Sequence, residues 1–388
     1  MRLRVQIPTV DPTEYESPPE HCPLCGNTTW QSHGWPAKAL RDTRLDEVKA
    51  QRIQCTNCQT TLRLYPKGVS KRKQSERLRG LSILLWLLGV SYRGVIDFLI
   101  ALGTHLSHTT VYNNVQEAGE KIRQWKEKRV GERQVRVLGA DCTHVQVKGK
   151  DTILLQLSDG EKGVCLAIDL VAGEDIESLR EAIEEIAAAV GAEILLSDDA
   201  DAYKEVADVL GLEHQICQQH VVPNTLRKLA EIAEQLEKRK ERTEENQPER
   251  GKIEQAMEHI LELEQLILWR CPGSQARFDE LVRVYEQEPA PEKGRRATPF
   301  YRLKLLTIRL AASWARLTLT ETRREADGSK FVPRTNNVSE QGIGMNIKER
   351  YRPMRGYKSK VSALRVTTLT AYLRDEGDDQ VLIRALAA

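Results

Sequence analysis

The chain has no apolar run long enough to cross a bilayer. Its longest, LSILLWLLGV from Leu81 to Val90, is ten residues and soon meets Arg93 and Asp97, where a spanning helix needs roughly 20. The opening residues MRLRVQIPTVDPTEYESPP lack the apolar segment of a secretory signal, so a cytoplasmic protein with no membrane partner is expected. In that compartment the eight cysteines are not expected as disulfides. A charge of one sign is also missing, since 58 Lys and Arg face 56 Asp and Glu for a net +2. Internal repeats and low-complexity tracts are absent. What is present is an ordinary globular composition, 40% hydrophobic and 29% charged, in 388 residues, enough for two or three domains.

The near-neutral total conceals two basic blocks. Residues 59–80 carry seven Lys or Arg against one Glu, and residues 345–360 carry six against one. Two such blocks far apart in sequence suggest an extended polyanion touched at more than one place.

Cys22-Pro-Leu-Cys25 and Cys55-Thr-Asn-Cys58 are separated by 29 residues. Two CxxC turns complete a tetrahedral sulfur shell, so one structural Zn²⁺ is expected. QSHGWPAKAL and DEVKAQRIQ supply the arms of an antiparallel hairpin between them, and His21 is a spare ligand. From Ser75 the apolar spacing becomes helical. Leu78, Leu81, Leu84, Leu85 and Leu88 mark one helix; Val95, Ile96, Leu99 and Ile100 mark a second that ends at Gly103. Ser107 caps a third, HTTVYNNVQEAG. Beside a basic block this pattern reads as a helix-turn-helix, with His108, Thr109, Tyr112 and Asn113 facing DNA from the recognition helix.

After a linker, KEKRVGER, strands and helices alternate. Val135–Cys142, Thr152–Leu157 and Val164–Val171 read as strands, 175–190 as a helix, 193–197 as a strand, 201–210 as a helix and 213–217 as a strand. That order implies an α/β fold with a mixed sheet. From Leu226 to about Leu319 the chain is helical and highly charged, an all-helical insertion.

Asp141 and Asp198 close the apolar strands VRVLGAD and EILLSD. Acids gathered on a strand edge offset their desolvation by holding a divalent cation, and two oxygen-ligated ions are the standard device of phosphoryl transfer. Asp199 competes with Asp198 for the second position, and its alternative role is to cap the helix that follows. In RTNNVSEQGIGMNIKER, Asn337 and Glu340 have the spacing of a capping box. On one straight helix Glu340, Gly344 and Lys348 also share a face. Glu340 is thus either a cap partner or a third metal ligand.

The segments GADCTHV, LLSDDADAY, CQQH and TNNVSEQGIGMNIKERYRPMRGY, in that order over residues 131–360, resemble the DDE transposases of bacterial insertion sequences related to the Mutator-like group. The resemblance implies a ribonuclease H-like core in which Asp141 bridges two Mg²⁺ (or Mn²⁺) ions while Asp198 and Glu340 each complete one. It makes Cys217 and His220 an accessory structural or DNA-positioning motif, and Trp269 of the insertion a candidate stacking residue. Lys348, Arg350, Arg352 and Arg355 then hold phosphates beside the site.

The implied organisation is a zinc ribbon over 1–70 and a helix-turn-helix over 71–126. The core's first part covers 131–228, the helical insertion 229–330 and the core's C-terminal part 331–388. The implied activity is 3′-end cleavage and strand transfer at the terminal inverted repeats of an element. Partners are double-stranded DNA, both element ends and target, and further copies of the chain in a dimer or larger synaptic complex; the expected location is the nucleoid. A domesticated DNA-binding regulator and a nuclease of the same fold without strand transfer are the alternatives.

Overall fold

The computed structural model describes residues 7–245, 247–269, 274–354 and 356–375. The N-terminal strands are short. β1 (Asp11–Tyr15) pairs with β7 (Pro66–Lys67); β2 (Trp30–Ser32), β5 (Gln51–Cys55) and β6 (Thr61–Leu64) form an antiparallel sheet; β3 (Ala37–Ala39) pairs with β4 (Glu47–Lys49). The expected hairpin arms are thus β2–β3 and β4–β5. Three helices follow: α1 (Glu76–Leu87), α2 (Tyr92–Ala101) and α3 (His108–Arg129). Each begins behind a serine whose hydroxyl accepts a first-turn amide: Ser75 from Leu78, Ser91 from Gly94 and Ser107 from Thr110. α3 continues through Arg129, so the stretch read as a linker is largely helix, and Lys126, Lys128 and Arg129 in its last turn suit the negative end of the helix dipole.

A five-stranded mixed sheet comes next. Its strands are β8 (Val137–Val147), β9 (Lys150–Asp159), β10 (Cys165–Val171), β11 (Ile194–Ser197) and β12 (Glu213–Ile216), in the order β10-β9-β8-β11-β12. β9 and β10 are antiparallel, whereas β11 runs parallel to both β8 and β12. Connecting β10 to β11 and β11 to β12 are α4 (Ile176–Val190) and α5 (Asp201–Leu210). Alternation along the strands decides what each face meets. Leu138, Ala140 and Leu195 join Leu179, Ile183 and Val206 of α4 and α5 in one core, while Val137, Ile194 and Leu196 form another with Val332.

Helices α6 (Gln218–Lys240), α7 (Pro248–Trp269), α8 (Ser274–Glu286) and α9 (Pro299–Thr322) share a further core centred on Phe278 and Trp314, whose rings stack at 3.9 Å. α9 returns this insertion to the edge strand: the Gln215 side chain accepts the Thr320 amide at 2.8 Å, and the Gln218 side chain donates to the Leu317 carbonyl at 2.8 Å. The chain closes with α10 (Asn337–Gly342), a π-helical turn (Ile343–Lys348), α11 (Glu349–Met354) and α12 (Lys360–Asp375).

Two compact units emerge. One takes in described residues of Met1–Arg129, Val145–Thr152 and Gly344–Ala388; the other takes in Val130–His144 and Ile153–Ile343. The C-terminal part of the core, expected over 331–388, is therefore divided. α12 packs on α3, where Arg365 Nε donates to Glu120 at 2.8 Å and the rings of Trp125 and Tyr372 meet edge-on at 4.9 Å. Gly119 makes the approach possible, because a Cβ there would sit 2.3 Å from the Arg365 carbonyl oxygen. The tip of the β8–β9 hairpin joins the same unit through a bridge between Val147 and Tyr357. Among the described residues no helix is long and apolar enough to cross a membrane.

Candidate active site

The parallel register sets the acids. Leu196 of β11 lies opposite Gly139 of β8 as their last paired residues; Asp141 follows two residues further along β8, and Asp198 follows just past the end of β11. Ser197 lies opposite Ile216, and Cys217, just past β12, donates its amide to the Ser197 carbonyl at 2.7 Å. Asp141 has the parity of Val137 and Gly139, so it belongs to the sheet face opposite α4 and α5. It is not a strand end as expected: β8 runs on to Val147 because Thr143, Val145 and Val147 keep the buried alternation.

Glu340 reaches that face on α10, which lies against β8 at a glycine. A Cβ on Gly139 would come within 2.4 Å of Ser339 Oγ and 2.9 Å of Asn336 Oδ1. Asn336 ties the helix start to two strands, its side-chain amide donating to the Ala140 carbonyl at 2.9 Å and its backbone amide to Cys217 Sγ at 3.2 Å. The capping box is corrected accordingly: the N-cap is Asn336, not Asn337, and its side chain serves the sheet rather than the helix. Glu340 Oε1 lies 3.9 Å from Cys217 Sγ and 3.6 Å from His220 Nδ1. Beyond Gly342 the π turn breaks the four-residue spacing, so Glu340, Gly344 and Lys348 do not line one straight α-helical face.

The acids bear on the buried thiols around them. Burial pushes the Cys142 thiol up to about 12, and the charges of Asp141 and Asp198 push the same way. Burial also raises the Cys217 thiol, with Glu340 and Asp141 adding to it while amides of Asn336 and Gln219 oppose it. Tyr203, raised well above its ordinary value first by burial, donates to Cys142 Sγ at 3.3 Å beneath the acids.

Asp198 and Asp199 are told apart by their partners. Asp199 is neutralised by Lys204 at 2.9 Å and Arg309 at 3.1 Å. It does not cap α5, whose N-cap is Ala200. Asp198 is exposed and spends one oxygen on the Ala200 amide at 3.0 Å. The three acids offer only oxygen, the donor chemistry of magnesium or manganese. Among the described residues their oxygens are not grouped as tightly as those of Cys217, His220 and Glu340, which lie within 4.8 Å of one another.

Beside Asp198 opens a cavity of about 450 Å³ lined by His220, Asn224, Arg227, Lys228 and Arg309. The sequence reading missed this basic wall. His220, Asn224, Arg227 and Lys228 fall at i, i+4, i+7 and i+8 on α6, one helical face, so the signal was there.

The other sequence-assigned residues lie in the first unit. His108, Thr109 and Asn113 are exposed on α3, and Tyr112 is half-buried against Tyr92 with ring centres 5.8 Å apart. Lys348 and Arg352 are exposed. Arg350 is not an open phosphate contact: it is 7% exposed, its guanidinium stacked 4.1 Å from the Trp86 ring and donating to the Val90 carbonyl. Arg355 and the Trp269 side chain lie outside the described residues.

The four cysteines converge without His21, with Cys22 3.6 Å from Cys58 and Cys25 3.6 Å from Cys55. A tetrahedral zinc with bonds of about 2.3 Å needs sulfurs about 3.8 Å apart, so the set fits. The two turns are copies. Gly26 and Gln59, each at positive φ, donate to the carbonyls of Cys22 and Cys55 at 2.9 and 3.1 Å. The Cys55 thiol is held at about 6, chiefly by the Cys58 amide.

The chain matches no family model and no curated protein. Two solved structures are similar to parts of it. One is the catalytic core domain of BIV integrase, 12% identical over 50% of this chain and 90% of that one at a TM-score of 0.18. The other is the HTLV-2 integrase catalytic core domain in complex with magnesium (trimeric form), 16% identical over 32% of this chain and 84% of that one at a TM-score of 0.19. At these scores neither likeness bears on the site, whose description rests on the sheet register and the contacts around α10.

Proposed function

We propose that the chain is a DDE-type DNA transposase with a ribonuclease H-like core, acting on the terminal inverted repeats of an insertion sequence. One observation carries the reading: Asp141 of β8 and Asp198, just past its parallel neighbour β11, each lie two residues beyond the paired Gly139 and Leu196, and Asn336 and Gly139 hold the helix bearing Glu340 against β8. Asp141, Asp198 and Glu340 would hold magnesium or manganese. When bound, such ions activate the attacking oxygen and neutralise charge at the scissile phosphate.

The protein's own part is positioning. Lys228 and Arg227 line the wall beside Asp198 and suit the phosphates of a strand entering the cavity. Arg309 holds Asp199 out of the acid set. His108, Thr109 and Asn113 form the exposed side of a recognition helix with Tyr112 half-buried beside them, and Lys348 and Arg352 add sequence-independent phosphate contacts. Cys22, Cys25, Cys55 and Cys58 hold the structural zinc of the ribbon. Cleavage frees a 3′-hydroxyl, which then attacks target DNA at the same acids, so no protein nucleophile is required. Two DNA ends call for a dimer or larger assembly.

The test uses duplexes carrying the repeats that flank the gene, with magnesium and a supercoiled target. Wild type is expected to cut and join, while Asp141→Asn and Glu340→Gln lose both by roughly 10³-fold or more, about 4 kcal/mol of transition-state stabilisation, with DNA binding kept. Cutting without joining favours a nuclease; binding without cutting favours a regulator. Unchanged cutting by Glu340→Gln overturns the acid assignment.

A further inference from the structure

Cys217, His220 and Glu340 do not look like magnesium ligands. Sulfur and imidazole are soft donors, whereas magnesium takes oxygen and keeps its waters. Yet the three side chains converge as ligands do. Cys217 is the N-cap of α6 and His220 stands in its first turn, so the two project together; Glu340 arrives from α10. The Sγ–Oε1 and Nδ1–Oε1 separations are 3.9 and 3.6 Å. A tetrahedral zinc with bonds of about 2.0–2.3 Å places such donors about 3.3–3.6 Å apart, so each pair is within a few tenths of an ångström of ligation. The cysteine-only cluster of the same chain has comparable separations of 3.6 Å.

One backbone contact suits a metal-bound sulfur. Cys217 is fully buried, and its sulfur accepts the Asn336 amide at 3.2 Å, a contact that orients a metal-bound sulfur from behind. His220 and Glu340 are partly exposed, with side-chain exposures of 56% and 29%, which leaves an entry path and an open fourth position.

We propose that Cys217, His220 and Glu340 bind a thiophilic divalent cation of the zinc type, and that its occupancy holds Glu340 away from Asp141 and Asp198. The site itself is independent of the transposase reading; the inhibitory consequence rests on it. Glu340 belongs to two donor sets that want different metals, so a soft cation at Cys217 removes the third acid from the oxygen-only set.

The full chain, stripped with chelator and titrated with Co²⁺, provides the test. Wild type is expected to show two thiolate-ligated equivalents, counted by thiolate-to-cobalt charge-transfer absorption, which cobalt held by the acids alone does not give. Cys217→Ser and His220→Ala should each keep one equivalent, that of the four-cysteine cluster. The exposed His220 makes His220→Ala safe for folding should Cys217→Ser disturb the sheet edge. One equivalent in wild type, or two in His220→Ala, overturns the site. For the consequence, zinc is added to magnesium-supported cleavage and the ratio of rates with and without zinc is read within each protein. Wild type should slow by roughly tenfold or more and His220→Ala by much less, since losing a ligand costs at least the 10–100-fold in affinity seen for outer-shell partners. Equal slowing in both overturns the inhibition. If no DNA is cut by wild type, the transposase reading and the inhibition fall together, while the cobalt count still decides the site.

Discussion

The four-cysteine cluster spans 36 residues in sequence, whereas Asp141 and Glu340 are 199 residues apart. The first is assembled by two local turns, each closed by a backbone hydrogen bond to the carbonyl of its own first cysteine. The second exists only after β8 and β11 have paired, the insertion has folded and Asn336 has tied α10 to the sheet. A site made of turns depends on its metal for its shape, while a site made of a sheet has its shape supplied by the core beneath it. Their responses to damage should therefore be opposite.

The largest expected effect is removal of zinc. Few apolar side chains are buried among the ribbon strands, chiefly Leu40, Val48, Ile53, Leu64 and Val69, so its folding is expected to lean on the metal. Structural zinc in small domains is worth about 10 kcal/mol or more at neutral pH. A strong chelator should abolish amide-exchange protection in β2, β5 and β6 and leave β8, β11 and β12 protected. Protection lost equally in both sets breaks the contrast.

The same contrast explains what could be read from sequence. CxxC spacing, serine caps and apolar periodicity are local, and the ribbon arms, the starts of α1 to α3, α4, α5, β11 and β12 came out within a few residues, whereas α3 runs about ten residues past its expected end and β8 five. Asp141 and Asp198 were singled out because each follows an apolar run, although Asp141 lies within β8 rather than at its end. What failed was long-range. Asn337 suggested a cap by its spacing to Glu340, but the N-cap is Asn336, whose side-chain amide donates to the distant Ala140 carbonyl. Arg350 sits in a basic block, yet its neighbour is the Trp86 ring, which no spacing rule reveals. Asp199 and Asp198 look alike until Lys204 and Arg309 arrive at one of them. The docking of α12 on α3 depends on Gly119, a residue that helix propensity alone marks as a weakness.

A smaller effect is expected where the sheet-built site has its closest contact. Gly139→Ala places a methyl 2.4 Å from Ser339 Oγ in a fully buried position, and overpacking of this kind costs about 1–3 kcal/mol. Because Ser339 precedes Glu340, α10 should shift and cleavage should fall further than stability does. Adding Ser339→Ala removes the clashing hydroxyl and should restore part of both. If Gly139→Ala leaves cleavage and melting temperature unchanged, the close approach of α10 does not set the geometry of Glu340.

The smallest effect compares the two copied turns of the ribbon. Gly26 and Gln59 occupy matching positions at φ 73° and 61°, and both donate to the carbonyl four residues earlier. A left-handed backbone costs a non-glycine residue about 1–2 kcal/mol, while glycine loses about 0.5–1 kcal/mol more entropy on folding. At Gly26 an added Cβ meets no atom within 4 Å, so Gly26→Ala should report backbone strain alone, near 1 kcal/mol, or roughly fivefold in zinc affinity by chelator competition. Gln59→Gly should move the other way by less, because it relieves the same strain but loses the 3.1 Å hydrogen bond from the Gln59 side chain to the Thr56 carbonyl. Opposite signs at the two positions follow if the turns are conformational copies; a fall in affinity in both variants makes Gln59 a residue held for its side chain instead.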